Sequence, residues 1–187
     1  VYHSIIKGNI IRGCKGGIQL YKLNYSNVIE GNIIYNVNEH GIYLNAYDKA
    51  IHRNIIIGNI INRVSQAADN AYHGIYLNAG TGTIEKNTIA YNLLYEDGTN
   101  KGAYGIIETS GCDNNRIEDN YIEGYVSGAI KKVGVNTIVK RNVGYLTESS
   151  CITSAVVPVG GGSITAVITV SDLGLSTSKI KRIINLR

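Results

Sequence analysis

Apolar and polar positions alternate along this chain in one short, recurring frame. An asparagine sits between aliphatic residues in Ile6-Lys-Gly-Asn9-Ile-Ile11, Ile29-Glu-Gly-Asn32-Ile-Ile34, Ile56-Ile-Gly-Asn59-Ile-Ile61, Ile84-Glu-Lys-Asn87-Thr-Ile89, Ile117-Glu-Asp-Asn120-Tyr-Ile122 and Val139-Lys-Arg-Asn142-Val-Gly144. Successive asparagines are 23, 27, 28, 33 and 22 residues apart, a period that marks a solenoid with one coil per interval. A second marker, glycine before an apolar residue, falls once in each interval, at Gly17, Gly41, Gly74, Gly105 and Gly128. The segments between markers are short, rich in β-branched residues and broken by Gly and Asn, which predicts strands rather than helices.

Short strands in successive coils stack in parallel, about 4.8 Å apart. The aliphatic residues three before and two after each asparagine then become inward columns. The asparagines become a ladder in which each amide pairs with those above and below. The expected fold is all-β, a right-handed parallel β-helix of about six coils over residues 1–151, followed by a β-structured tail over 152–187. This frame resembles the parallel β-helix of the pectin-lyase-like superfamily over roughly residues 4–151. The resemblance implies contact with carbohydrate, since that class holds polysaccharide lyases, glycoside hydrolases, uronan epimerases, phage tailspikes and non-catalytic binding proteins. It also implies an extracellular, cell-surface or virion location. An Asp-Pro-His element of the mannuronan-epimerase kind is excluded, because the one proline is Pro158.

Phe, Trp and Met are absent, so Ile, Val and Leu must fill the core and most of the 14 Tyr are expected outside, where an amphipathic ring suits a sugar. The net charge of +4 is concentrated in the tail, and residues 1–151 carry 14 basic and 13 acidic side chains. That balance argues against nucleic acid as a partner. No long apolar run points to membrane insertion and no signal peptide is read in the chain, whose first residues are expected to lie inside a coil, so that the N-terminus reads as a cut edge. Cys14, Cys112 and Cys151 fall in different coils, too far apart for a disulfide, and all three are expected unpaired.

From asparagine to following glycine the chain runs 8, 9, 15, 18 and 8 residues, so two coils carry insertions on the same arc. These loops, Asn62 to Tyr72 and Leu93 to Ala103, are expected to stack into a wall beside the repeated hexapeptides His40 to Asn45 and His73 to Asn78. Alternation sends Tyr43 and Tyr76 outward, and His40, His73 and Tyr104 form a neighbouring column. With Asn45, Asn78 and Gln19 they make a neutral, hydrogen-bonding strip suited to an uncharged or lightly charged glycan.

Glycoside hydrolysis needs a pair of carboxylates. Asp69, Glu96 and Asp97 of the loops are candidates, as is Glu108. The last shares a column with Leu44 and Leu77 and is either an inward acid or the first residue turned out, with Lys131 or Lys132 as a partner. Glu85, Glu118 and Lys140, with Lys86, Asp119 and Arg141 beside them, read as a solvated ladder of opposite charges. The expectation is that no cofactor is required. Calcium on Asp113-Asn114-Asn115 is a minor alternative, and His40 with His73 lacks a third ligand for zinc or copper.

After Cys151 the repeat gives way to Ser163 to Val170, an alternating segment whose Ile164, Ala166, Ile168 and Val170 must cover something. A cap on the last coil and a homotrimer interface are both open. Two functional readings follow: a secreted polysaccharide-processing enzyme, or a trimeric glycan-recognising spike without catalysis. A stretch of a longer structural fibre is a third.

Overall fold

The computed structural model describes residues 1–144, and the expectations for the tail, including Cys151 and trimerisation, lie outside them. Strands of two to five residues stack in four parallel sheets. Sheet 1 joins Ile5–Lys7, Val28–Glu30, Ile55–Ile57, Thr88–Ala90, Arg116–Glu118 and Ile138–Lys140. Sheet 2 joins Ile10–Arg12, Ile33–Tyr35, Ile60–Asn62, Leu93–Tyr95 and Tyr121–Glu123. Sheet 3 joins Ile18–Tyr21, Ile42–Asn45, Ile75–Asn78, Tyr104–Glu108 and Gly128–Lys131, and sheet 4 the pieces Asn24–Tyr25, Ala50–His52, Thr83–Glu85 and Cys112–Asp113. Every pairing is parallel and links one coil to the next, which is the expected parallel β-helix.

Inside, equivalent aliphatics stand on one another: Ile29, Ile56, Ile89 and Ile117 in sheet 1, and Ile34, Ile61, Leu94 and Ile122 in sheet 2, all fully buried. Each such side chain contributes roughly 1.5–3 kcal/mol of hydrophobic stabilisation. Tyr125 departs from the expectation of outward tyrosines, being buried in this core.

The asparagines form two ladders rather than one. Asn9, Asn32, Asn59, Asn92, Asn120 and Asn142 turn the corner between sheets 1 and 2. Asn27, Asn54, Asn87 and Asn115 turn the corner between sheets 4 and 1. In each, one Oδ1 accepts both the backbone N–H and the Nδ2 of the asparagine a coil earlier, at 2.9–3.0 Å. The residue before every ladder asparagine holds a left-handed backbone, from Gly8, Gly31 and Gly58 to Tyr91, Asp119, Ser26, Arg53 and Lys86. Asn87 is therefore not the vertical neighbour of Asn59, contrary to the sequence frame. Both corners obey the same local rule, and Ile89 lies two after Asn87 and three before Asn92, so the frame matched the wrong corner.

The shift also splits the expected charge ladder. Glu85 pairs in register with His52 and Asp113, whereas Glu118 sits with Lys140 and forms ion pairs with Arg116, Lys140 and Arg141. Cys14 and Cys112 are free thiols. Among the described residues no helix is long and apolar enough to cross a membrane.

Candidate functional site

Sheet 3 carries the aromatic strip in the register expected of it. Tyr43 stands beneath Tyr76 with ring centroids 5.1 Å apart and planes 5° from parallel, and His40 beneath His73 at 5.3 Å and 24°. Tyr104 continues the histidine column, tilted against His73, with Lys131 Nζ over its ring. Tyr72 of the first loop lies edge-on to His40, a member of the cluster that periodicity did not reveal. Asn78 Nδ2 donates to the Tyr43 hydroxyl at 2.9 Å, and Asn45 pairs in register with Asn78. Because the rings cover one another's faces, the strip shows solvent its edges and polar tips over most of its length.

The histidine column ends on a glycine at both ends, Gly128 beside Tyr104, where Lys131 Nζ lies over the ring, and Gly16 beside His40. The position one coil below His40 is Gly16, which has no side chain; the position below Tyr43 is Gln19. There an open depression of about 260 Å³ is lined by Lys15, Gly16, Gly17, Ile18, Gln19, Glu39, His40 and Tyr43. A Cβ built on Gly16 would come no nearer than 3.6 Å to the carbonyl oxygen of His40, so backbone packing does not demand a glycine there. The depression sits where a further ring of the stack would lie, rimmed by an amide, an ammonium and a carboxylate. Lys15 and Glu39 form an exposed ion pair at 3.6 Å. The signal in the sequence was Gly16 standing where His40, His73 and Tyr104 stand in later coils.

The strip is uncharged near neutrality. Burial pushes the His40 imidazole down to about 4, helped by the neighbouring His73. Burial likewise takes His73 to about 4, with Lys131 adding to it. Burial also raises the Tyr76 phenol.

The two inserted loops lie side by side. Asn70 N–H donates to the Lys101 carbonyl, Lys101 N–H to Asp69 Oδ1 at 2.8 Å, and Gln66 and Asn100 exchange bonds from each side chain to the other's backbone. Arg63 Nε reaches Asp97 Oδ1 at 2.7 Å, which holds the Asp97 carboxyl below its ordinary range. Asp69 and Asp97 thus tie the loops together.

Glu96 is buried beneath these loops, its Oε1 accepting Val64 N–H at 2.9 Å, and desolvation raises it to about 7. Its Oε2 and the buried hydroxyl of Tyr125 have no hydrogen-bond partner among the described residues. Glu108 is the inward acid of the two alternatives, but not through a lysine. Its carboxylate accepts Asn115 Nδ2, Thr137 Oγ1 and Gly134 N–H at 3.0, 2.9 and 3.1 Å. All four candidate acids are engaged by structural donors, and the geometry brings none of them to the depression.

The family model described as periplasmic copper-binding protein (NosD) matches residues 1–145. No curated protein and no solved structure matches. The family description overturns the expectation that no cofactor is involved, since it is a description of copper-binding proteins.

The described residues do not fit a copper centre. His73 N–H points at His40 Nδ1 at 3.0 Å and Tyr104 N–H at His73 Nδ1 at 3.4 Å, so each neutral ring carries its proton on Nε2 and offers no second lone pair. Nearly parallel rings also keep their nitrogens from converging. Among the described residues no three His, Cys, Asp or Glu side chains come together, and the chain has no methionine thioether. Asp113, considered for calcium, accepts the N–H groups of Asn114 and Asn136 on Oδ1, while Asn115 serves its ladder.

Proposed function

The chain belongs to the NosD family, and on that premise we propose that it is a periplasmic β-helix that binds a glycan by seating one sugar ring in the Gly16 depression. The observation that carries this reading is the missing ring: a column of stacked aromatics stops at His40, and an open, polar-rimmed space takes the next place. A pyranose presents an apolar C–H face to a ring and hydroxyls to the rim, which is the complement of His40 and Tyr43 on one side and Gln19, Lys15 and Glu39 around it. The outer edge of the strip, with the Tyr43 and Tyr76 hydroxyls and the histidine Nε2–H groups, supplies hydrogen bonds along the stack for the rest of the chain.

The reading is of binding without hydrolysis. Asp69, Asp97 and Glu108 are held by backbone and side-chain donors, Glu96 is buried beneath the loops with one oxygen on Val64 N–H, and hydrolysis needs two carboxyls facing one bond. The trimeric-spike alternative rests on the tail.

A glycan array probed with the intact protein identifies the sugar, and calorimetry with the best ligand then tests the site. Gly16→Leu fills the depression and is expected to abolish binding while leaving the melting temperature within about 2 °C. Full affinity in Gly16→Leu contradicts the proposal.

A further inference from the structure

The coil that holds Gly16 carries aromatic surface past the depression. Its strand Ile18–Tyr21 alternates, with Ile18 and Leu20 buried and Gln19 and Tyr21 turned outward. Gln19 lines the depression, and Tyr21 stands two residues further along the same strand, about 6.8 Å away. That step is close to the length of one sugar residue. Just past the end of the strand above, Tyr47 reaches the same place, its ring centroid 6.3 Å from that of Tyr21 and the planes 40° apart. Tyr21 is 49% exposed and Tyr47 56%.

Tyr47 is held in place through its backbone. Its φ of 57° is left-handed, and its carbonyl oxygen accepts the N–H groups of Thr81 and Gly82 at 2.7 and 3.0 Å. Gly80 stands above it in the next coil, where a Cβ would come within 2.6 Å of that carbonyl oxygen. The close approach requires glycine, so this position puts no side chain over the Tyr47 ring. Lys22 Nζ lies 5.3 Å from the Tyr21 centroid and 5.2 Å from that of Tyr47, and it has no carboxylate partner among the described residues. Asn45 pairs in register with Tyr21, two residues after Tyr43 and two before Tyr47. Asn78 gives its amide to the Tyr43 hydroxyl, whereas the Asn45 side chain has no hydrogen-bond partner among the described residues.

We propose that Tyr21 and Tyr47 form a second sugar seat beside the Gly16 depression, so that the site takes an inner stretch of a linear glycan and not only its end. The inference rests on the glycan reading of the depression. A sugar seated there has two neighbours in its chain: one follows the ring edges of the stack, and the other crosses the coil onto Tyr21 and Tyr47. The faces of Tyr43 and Tyr76, 5° from parallel, cover each other, but the 40° splay of Tyr21 against Tyr47 leaves apolar ring surface open to the C–H groups of the second sugar. The Lys22 ammonium donates to that sugar's hydroxyls. The Asn45 amide, lying between the two seats, donates and accepts across the linkage that joins the sugars.

Two probes test it on the full chain: the tetrasaccharide bound most tightly on a glycan array, measured by calorimetry, and its constituent monosaccharide, titrated by the proton resonances of the His40 ring. Tyr47→Gly, which installs the residue that the next coil uses at this corner, is expected to weaken the tetrasaccharide about tenfold and to leave the monosaccharide constant unchanged. Tyr47→Phe keeps the ring and should keep the wild-type tetrasaccharide affinity. Wild-type tetrasaccharide affinity in Tyr47→Gly, with binding abolished in Gly16→Leu, overturns the second seat and leaves the first standing. An equal loss for both probes in Tyr47→Gly also overturns the second seat. Full tetrasaccharide affinity in Gly16→Leu, or no glycan bound on the array, overturns the first seat and this inference with it. Circular dichroism melts separate these outcomes from misfolding, since Tyr47 is exposed.

Discussion

Asn115 Nδ2 donates to Glu108 Oε1 at 3.0 Å, and with that bond the second asparagine ladder ends on a carboxylate instead of another amide. Glu108 lies in the inward column of Leu44 and Leu77, and a second donor, the Thr137 hydroxyl, and a third, the Gly134 amide, engage both of its oxygens. A carboxylate can accept from several directions at once, where an asparagine must spend half of its capacity donating.

Removing that acceptor strands buried donors, so Glu108→Ala should destabilise by about 2–4 kcal/mol, and Asn59→Leu by at least as much. Asn59 sits mid-ladder, giving bonds to Asn92 and the Ile29 carbonyl and receiving two from Asn32. Asn9→Ala, at an exposed end, should cost less than about 1 kcal/mol. Urea denaturation of the three variants measures the order.

Stability should also depend on pH through Glu96. Its carboxyl titrates near 7 in the folded chain against about 4.5 when unfolded, so the folded state holds the proton more tightly. The stabilisation is fully present below pH 4.5 and is lost as pH rises through 7. Urea midpoints at pH 5 and pH 8 should differ by an amount worth about 2 kcal/mol more in the wild type than in Glu96→Gln. Equal pH dependence in the two proteins contradicts this account of the buried acid.

The histidines act in the opposite sense. Both are lowered to about 4 in the folded chain, so their contribution is complete above about 6.5 and is lost as pH falls through 4. Glycan affinity should hold from pH 8 down to about 5.5 and fall near 4, where the stack gains charge. Copper should not depend on the pair: His40→Gln/His73→Gln is expected to leave copper uptake unchanged in equilibrium dialysis, because both Nδ1 atoms are occupied by backbone amides. Uptake reduced by one equivalent in that variant would place copper on the strip.

The parallel β-helix could be read from the text because Ile29, Ile56 and their neighbours recur at positions that only stacking makes equivalent. The register failed at one coil for a physical reason. Left-handed corners recruit an asparagine after Lys86 as readily as after Gly58, and the aliphatic frame around Asn87 is shared with Asn92 through Ile89. His40, Tyr43, His73 and Tyr76 were legible as outward columns from alternation alone. That their rings would cover one another, and that the useful opening would be at Gly16, depended on side-chain tilt and on a missing atom, neither of which a residue type announces. The structural bonds of the carboxylates were not legible either, because a loop acid that bonds a neighbouring loop's amide, as Asp69 does with Lys101, looks in sequence like one with no such partner.

The most direct test of the glycan site is the proton resonance spectrum of the His40 and Tyr43 rings while the best array ligand is added to the intact protein. A sugar seated on those faces is predicted to shift both rings in proportion to occupancy, with Tyr104 at the far end of the strip unmoved by a monosaccharide. Saturation of binding with His40 and Tyr43 unshifted would contradict the account.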